Sequence, residues 1–229
     1  MTSNDESRRD QAYRKIWQRI VHLDYAPLTL LNEKQLSAEL DVGLSPVREA
    51  LRCLEYDGLV MILPRRGTLT TEIGLTDVQS ELEVRIELEG LAGRLAAQRG
   101  SDAEHERLAR HIQQMTDLCE KRENGHRNIE FTDMDGEFHR QIYAQTKNKS
   151  LVRDLDRHFA HALRIWFYCH RLRNRMPVLG VAPGAEQIEN YREVSDALCR
   201  RDAAAAEAGM RKHVMRDTER VLALLNQAD

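Results

Sequence analysis

The sequence is poor in aromatic residues, which make up 5% of its 229 positions. Its core must therefore be mostly aliphatic. No apolar run approaches the roughly 18 residues needed to cross a membrane. The start of the chain, polar and mixed in charge, has no apolar stretch of the kind that directs secretion. No membrane partner is expected, and the cytoplasm is the expected compartment. Cysteine is scarce: Cys53, Cys119, Cys169 and Cys199 lie far apart and form no C-x-x-C pair. That speaks against a zinc ribbon or a disulfide framework, and each reads as a buried free thiol. No glycine-rich phosphate loop, G-x-S-x-G elbow or H-E-x-x-H pair occurs, so no enzyme is expected. Charge of one sign is also missing. The net charge is −3, from 34 basic and 37 acidic residues, which argues against a general polyanion binder. Residues 1–71 hold ten Lys/Arg and ten Asp/Glu, so binding to nucleic acid must rest on local motifs.

What is present is helical periodicity. After a disordered segment over 1–8, a first helix is expected from Arg9 to Asp24, with Ile16, Ile20 and Leu23 at helical spacing. Asn32 with Gln35 resembles a capping box and opens a short helix carrying Leu36 and Leu40. Ser45 and Pro46 read as the cap and first position of a third helix, with Val47, Ala50, Leu51 and Leu54 on its apolar face. Two β-prone runs, 59–63 and 68–71, flank Pro64-Arg65-Arg66-Gly67 and predict a hairpin. From Thr76 onward only helical patterns occur, drawn as 76–99, 102–123, 127–145, 150–172, 185–200 and 203–226. Thr76 with Gln79 and Ser101 with Glu104 look like capping boxes, and the region around Pro177, Gly180, Pro183 and Gly184 is the clearest loop. The expected fold is mainly α: a winged helix-turn-helix with a small β-hairpin over 9–72, then an all-helical bundle of about six helices over 73–228.

The order helix, helix, turn, helix, hairpin suits a DNA reader. The third helix would enter the major groove with Ser45 and Arg48 near base edges and Arg52 one turn further on. The hairpin tip would carry Arg65, Arg66 and Gly67 to the phosphate backbone or the adjacent minor groove. The competing reading is a protein-interaction module in which Arg48 and Arg52 are solvated charges paired with residues such as Glu55.

In the second domain, Asp135 and His139 share one helix face by their i,i+4 spacing, and Phe131, Phe138 and Ile142 share it too. Ionisable groups pointing at apolar surroundings need partners or a cation. His213 sits near Met210 and Val214 on another apolar stripe. A carboxylate and imidazoles inside a bundle can hold a divalent transition metal, zinc or nickel or similar. Arg85 has Glu89 at i+4. The pair is either a surface ion pair or a guanidinium turned inward to grip a carboxylate. His158, His161 and Arg164 on a later helix are within reach of the same pocket, while Trp166 and Phe167 read as core or dimer contacts.

These residues resemble a known family. The stretch from Leu36 to Leu59, with its Pro-Val-Arg-Glu-Ala-Leu core and Leu-Glu-x-x-Gly-Leu end, followed by Arg65-Arg66-Gly67, resembles the GntR family of bacterial regulators. Arg85-x-x-Leu88-Glu89, Asp135-x-x-Phe138-His139 and Val194-x-x-Ala197-Leu198 with Asp202 and His213 resemble the helical FCD effector domain of its FadR-type branch. The resemblance covers about residues 12–226. It implies a dimeric repressor or activator whose affinity for double-stranded operator DNA responds to a metabolite, often a carboxylate. Lys34 matches a frequent basic DNA contact, whereas Leu44 stands where an arginine often reads DNA. The metal-binding members use one Asp and three His; Asp135, His139 and His213 match, and the remaining His position falls on Tyr191.

Three readings of that cluster stand open. A metal binds through Asp135, His139 and His213, with His158 or His161 a candidate replacement ligand. Alternatively, Asp135, His139 and Tyr191 bond an organic effector directly, with Arg85, His161 and Arg164 as further effector contacts. Or the groups satisfy one another. The expected function is a ligand-responsive repressor acting as a homodimer. The alternatives are a regulator whose signal is the metal itself and, last, a metal-dependent enzyme.

Overall fold

The computed structural model describes residues 7–120, 128–175 and 185–225. The expected loop around Pro177 to Gly184 lies outside the described residues. The chain divides into two compact units, with the boundary between Gly74 and Leu75.

In the first unit, α1 (Arg8–Val21) begins earlier than its periodicity suggests, because the Ser7 hydroxyl accepts from the Asp10 amide at 3.1 Å. Its buried face is Ala12, Ile16, Ile20 and Val21. It ends short of Asp24 as Leu23 turns to φ +63°. α2 (Glu33–Leu40) is capped by Asn32, whose Oδ1 accepts from Lys34 and Gln35 amides at 2.9 and 3.2 Å. The reciprocal half of the expected capping box is not made, because the Gln35 amide donates to Glu39 instead. α3 (Leu44–Tyr56) buries Val47, Ala50, Leu51 and Leu54 against α1 and α2. Its cap is Gly43, not Ser45. Gly43 is extended and its carbonyl accepts the first helical bond, from Val47 N at 3.3 Å. Ser45 and Pro46 therefore sit inside the first turn, where a missing N–H does no harm. The Ser45 hydroxyl, freed from capping, donates to Glu49.

α3 stops by a paired backbone closure: Leu59 N–H donates to Leu54 O at 2.9 Å and Gly58 N–H to Glu55 O at 3.0 Å. This closure needs a left-handed residue, and Gly58 supplies it at φ +76°. β2 (Val60–Leu63) and β3 (Gly67–Thr70) form the expected hairpin, with Leu63 opposite Gly67. The turn runs Leu63-Pro64-Arg65-Arg66 and is closed by Arg66 N–H to Leu63 O at 3.0 Å. Pro64 sets the second position and Arg65 takes φ +63° at the third, the position where such a turn favours glycine. A third strand, β1 (Leu30–Leu31), pairs antiparallel on the other edge of β3. It was not expected, since two residues carry no periodicity. Buried Thr70 ties it down: its hydroxyl donates to Ala26 O at 2.7 Å and accepts from Thr29 N at 2.8 Å.

Among its described residues, every element of the second unit is a helix: α4 (Leu75–Arg99), α5 (Asp102–Glu120), α6 (Asn128–Gln145), α7 (Lys149–Arg175), α8 (Ala185–Cys199) and α9 (Ala203–Leu225). Thr76 lies inside α4 rather than capping it. The Ser101–Glu104 box is complete: Ser101 N–H donates to Glu104 Oε2 at 2.8 Å and Glu104 N–H to Ser101 Oγ at 3.3 Å. α4 packs most extensively on α9, which in turn lies against α8. Gly93 permits the first contact, since a Cβ there would stand 2.6 Å from Ala206 O. The core is aliphatic, as the shortage of aromatics required, with the few rings gathered at one place described below.

Two substitutions test this backbone reading. Gly58→Ala is expected to destabilise the protein by about 1 kcal/mol, the left-handed penalty of an L side chain. Arg65→Gly is expected to stabilise it by about half a kcal/mol, because relief of the same penalty outweighs the unfolded-state freedom that glycine adds. Urea denaturation midpoints at unchanged slope read both.

Candidate metal centre and nucleic-acid interface

On the first unit, the residues expected to meet DNA are all surface residues. Lys34, Ser45, Arg48 and Arg52 are exposed, as are Arg65, Arg66 and Gly67 at the hairpin tip. Arg48 donates from Nε to Glu33 Oε2 at 2.7 Å, tying α3 to α2. Glu55, expected as a partner for the α3 arginines, instead accepts from the Ile62 amide at 2.8 Å. Leu44 is half-buried and offers no hydrogen bond to a base edge.

Inside the second unit, α4, α6, α8 and α9 bring one polar network into the core. Arg85 is 2% exposed and Glu89, one turn along α4, is 0% exposed, so the pair faces inward and not outward. Arg85 Nε donates to Glu89 Oε1 at 3.2 Å. Glu89 also accepts from Tyr143 Oη at 2.5 Å and lies 3.2 Å from His139 Nδ1 through Oε2. A carboxylate there makes Nδ1 the protonated nitrogen and leaves Nε2 of His139 as a lone pair. On α9, His213 Nδ1 lies 3.1 Å from Asn190 Oδ1, while the Asn190 amide donates to Gly209 O at 3.4 Å. Asn190 thus turns its oxygen to the ring, and His213 Nε2 becomes the second lone pair.

The two Nε2 atoms face each other at 3.2 Å. Asp135 Oδ1 lies 3.8 Å from that of His139 and 3.5 Å from that of His213. A tetrahedral ion with bonds of about 2.1 Å spaces its ligand atoms about 3.4 Å apart, and an octahedral ion about 3.0 Å. At 3.2, 3.5 and 3.8 Å the edges of the triangle lie nearer the tetrahedral spacing than the octahedral one. Two imidazole lone pairs at this separation repel unless a proton or a cation lies between them. The donor set and its anchoring therefore fit a divalent transition metal, with Glu89 and Asn190 orienting the imidazoles. Arg85 Nη2 also reaches His139 Nε2, at 3.3 Å. Tyr191 Oη donates to Asp135 Oδ1 at 2.6 Å.

Burial drives both carboxyls towards protonation, but the surroundings win. Around Glu89, the attraction and hydrogen bond of His139, the Arg85 guanidinium and the Tyr143 hydroxyl hold the carboxyl at about 2. Around Asp135, His139, His213 and Tyr191 hold it well below the usual carboxylate range. Burial and the Glu89 charge push the Tyr143 hydroxyl up, keeping it a donor.

The structure thus joins Asp135, His139, His213, Arg85 and Tyr191. His158 does not supply the replacement ligand considered above; its Nδ1 pairs with Glu81 on α4. His161 and Arg164 lie on α7, outside the network just traced; burial lowers the Arg164 guanidinium to about 10, still charged at neutral pH. Sequence reasoning missed Tyr143 and Asn190. Tyr143 had a signal, since it extends the Asp135–His139 stripe by another four residues. Asn190 had none, because its role appears only when α8 meets α9.

The Glu89 carboxyl sets a pH expectation. Its value is depressed, so the stability it contributes is present above its ordinary value near 4.5 and is lost as pH falls towards about 2. Glu89→Gln is expected to flatten stability between those pH values, removing up to about 3 kcal/mol of the dependence. Thermal or urea unfolding of both proteins across that range measures it; parallel curves would contradict the assignment.

The sequence profile of the FCD domain matches residues 81–216, and that of "Bacterial regulatory proteins, gntR family" matches residues 8–69. The chain is 28% identical over 214 residues to the HTH-type transcriptional repressor RspR of Escherichia coli K12, covering 92% of this chain and 87% of that one. It is 29% identical over 188 residues to the probable D-xylose utilization operon transcriptional repressor of Paenarthrobacter nicotinovorans, covering 80% and 75%. The E. coli McbR/YncC structure shares the fold, with a TM-score of 0.76 at 21% identity over 97% of this chain and 99% of that one. The chain therefore belongs to the GntR family of bacterial regulatory proteins, in the branch with an FCD domain, and is a DNA-binding transcriptional regulator rather than an enzyme.

Proposed function

We propose that this regulator is a homodimeric repressor whose operator affinity is set by a small organic anion bound in the helical domain at a metal centre. The observation that carries the effector half is the convergence of Asp135, His139 and His213 in a buried site, with a buried arginine at its edge. Those three residues would hold a divalent transition metal, which supplies an electrophilic position for an anionic ligand. Arg85, anchored through Nε on Glu89, is placed to add a charge-assisted hydrogen bond to a carboxylate. Tyr191, His161 and Arg164 are the further effector contacts of this reading.

The DNA half rests on α3 and the hairpin. Ser45, Arg48 and Arg52 face a major groove, Lys34 reaches the backbone from α2, and Arg65, Arg66 and Gly67 approach phosphates or the minor groove. Two copies would read two half-sites of a pseudo-palindrome, so a change in their spacing changes affinity. Effector and DNA affinities are then reciprocally coupled. Repression, rather than activation, is supported by the names of two relatives. The cytoplasm is the compartment that suits this role.

Fluorescence anisotropy on DNA from the gene's upstream region, against a scrambled duplex across a salt series, tests the DNA half. Sequence-dependent binding with a steep salt slope is expected, and Arg66→Ala is expected to reduce that slope by about one phosphate contact. Equal, weak binding to both duplexes, with and without candidate organic acids, contradicts it. Metal analysis of the wild type beside His139→Ala tests the effector half; no metal in either sinks it. A second reading, in which the metal itself is the signal, is favoured by a donor triangle complete without an organic ligand. In that case chelator alone changes DNA affinity and organic acids add nothing.

A further inference from the structure

Leu44 opens α3 at the end that faces base edges, yet it carries neither a charge nor a hydrogen-bonding group. We propose that Leu44 is a specificity-determining residue that reads the 5-methyl group of a thymine in the major groove, within about two base pairs of a guanine read by Arg48. The inference rests on the reading of α3 as the element that enters the groove.

Leu44 is the first residue of α3, after an extended Gly43. It begins the helical stripe that Val47, Leu51 and Leu54 continue, and all three of those are buried. Leu44 itself is only half-buried, so its side chain is shared between the core and the surface. Ser45 and Arg48, its neighbours on that surface, are exposed. An apolar group placed there gains free energy when another apolar group covers it. On the major-groove edges of the four bases, the apolar group is the methyl of thymine. A guanine in that place would lose water from O6 and N7 and gain no donor from leucine. A cytosine would lose water from its amino group and gain no acceptor. Leucine therefore selects thymine both by contact and by exclusion.

Arg48 fixes where that thymine lies. Its Nε donates to Glu33 Oε2 at 2.7 Å, and Glu33 is the first residue of α2, directly after the Asn32 cap. With Nε taken, the guanidinium presents its two Nη groups, which match the O6 and N7 acceptors of one guanine. The Arg48 side chain is 57% exposed, which leaves it open to the groove. Leu44 and Arg48 stand one turn apart on one face, about 6 Å along the helix, against about 3.4 Å between stacked base pairs. The two residues therefore address nearby positions of one half-site, Arg48 by charge and hydrogen bonds and Leu44 by shape.

The test selects binding sites for the full chain from a pool of random-sequence duplexes, in parallel for the wild type, Leu44→Arg and Arg48→Ala. The wild type is expected to select a thymine close to a guanine, and Leu44→Arg to exchange that thymine for guanine. Anisotropy then reads wild-type affinity for the selected duplex with deoxyuridine, which lacks only the methyl, in place of each thymine in turn. At the position addressed by Leu44, deoxyuridine is expected to weaken binding about fourfold per half-site, the worth of one buried methyl-sized group. The same exchange is expected to have no effect on Leu44→Ala. The deoxyuridine series needs only the unaltered protein, so it decides the matter even where a variant does not fold. Deoxyuridine without effect at every thymine, while Arg48→Ala loses the guanine, overturns this inference and leaves α3 as the reader. Selected sites that are the same for all three proteins overturn the α3 reading itself.

Discussion

A carboxylate or guanidinium taken out of water into a helical bundle is tolerated only when its charge is answered within hydrogen-bonding distance. Among the groups that the second unit buries, Arg85, Glu89 and Asp135 lie in one network with two imidazoles among them. No single helix can satisfy them. Glu89 on α4 needs Tyr143 and His139 from α6; Asp135 on α6 needs Tyr191 from α8 and His213 from α9. The packing of four helices is thus tied to one electrostatic condition. Small residues make the approach geometrically possible: Gly93 lets α4 meet the backbone of α9, and Gly209 lets α9 meet Val194 of α8. Removing one partner leaves an unanswered charge, which is far more destabilising than never having buried the pair.

The helices were legible because an aliphatic core leaves a clean 3.6-residue period, and the hairpin because Pro64 and Gly67 punctuate two β-prone runs. What was not legible depended on contacts between distant segments. β1 exists because Thr70 bonds back to Ala26 and Thr29, and two residues cannot announce a strand. Ser45 looked like a cap because Ser-Pro usually is one. The extended conformation of Gly43 set the start one residue before Ser45, and the serine became an in-helix residue. Propensity identifies which residues suit a cap; the turn before the helix decides which one is used.

The buried polar cluster was only partly legible. Asp135 and His139 declared themselves by spacing within one helix and His213 by its place on another apolar stripe, whereas Tyr191 was reached only through resemblance. The two readings of Arg85 and Glu89 were equivalent at the level of spacing, since an i,i+4 pair looks the same on a wet face and a dry one. Burial separates them. His158 shows the converse error: a histidine near the right place in sequence pairs through Nδ1 with Glu81 and does not join the cluster of Asp135, His139 and His213.

The position of Arg85 links the two proposed ligands of the helical domain. Its Nε is held by Glu89 while Nη2 shares the lone pair of His139 Nε2. A cation that takes this lone pair removes one acceptor of the guanidinium and adds positive charge beside it. Both effects favour an anion at that spot, which can accept from Arg85 and neutralise the excess. On the proposed reading, metal and organic anion therefore bind with positive coupling, and each raises the affinity for the other by the same factor. The coupling needs no movement of the helices, because it follows from one nitrogen serving two donors in turn.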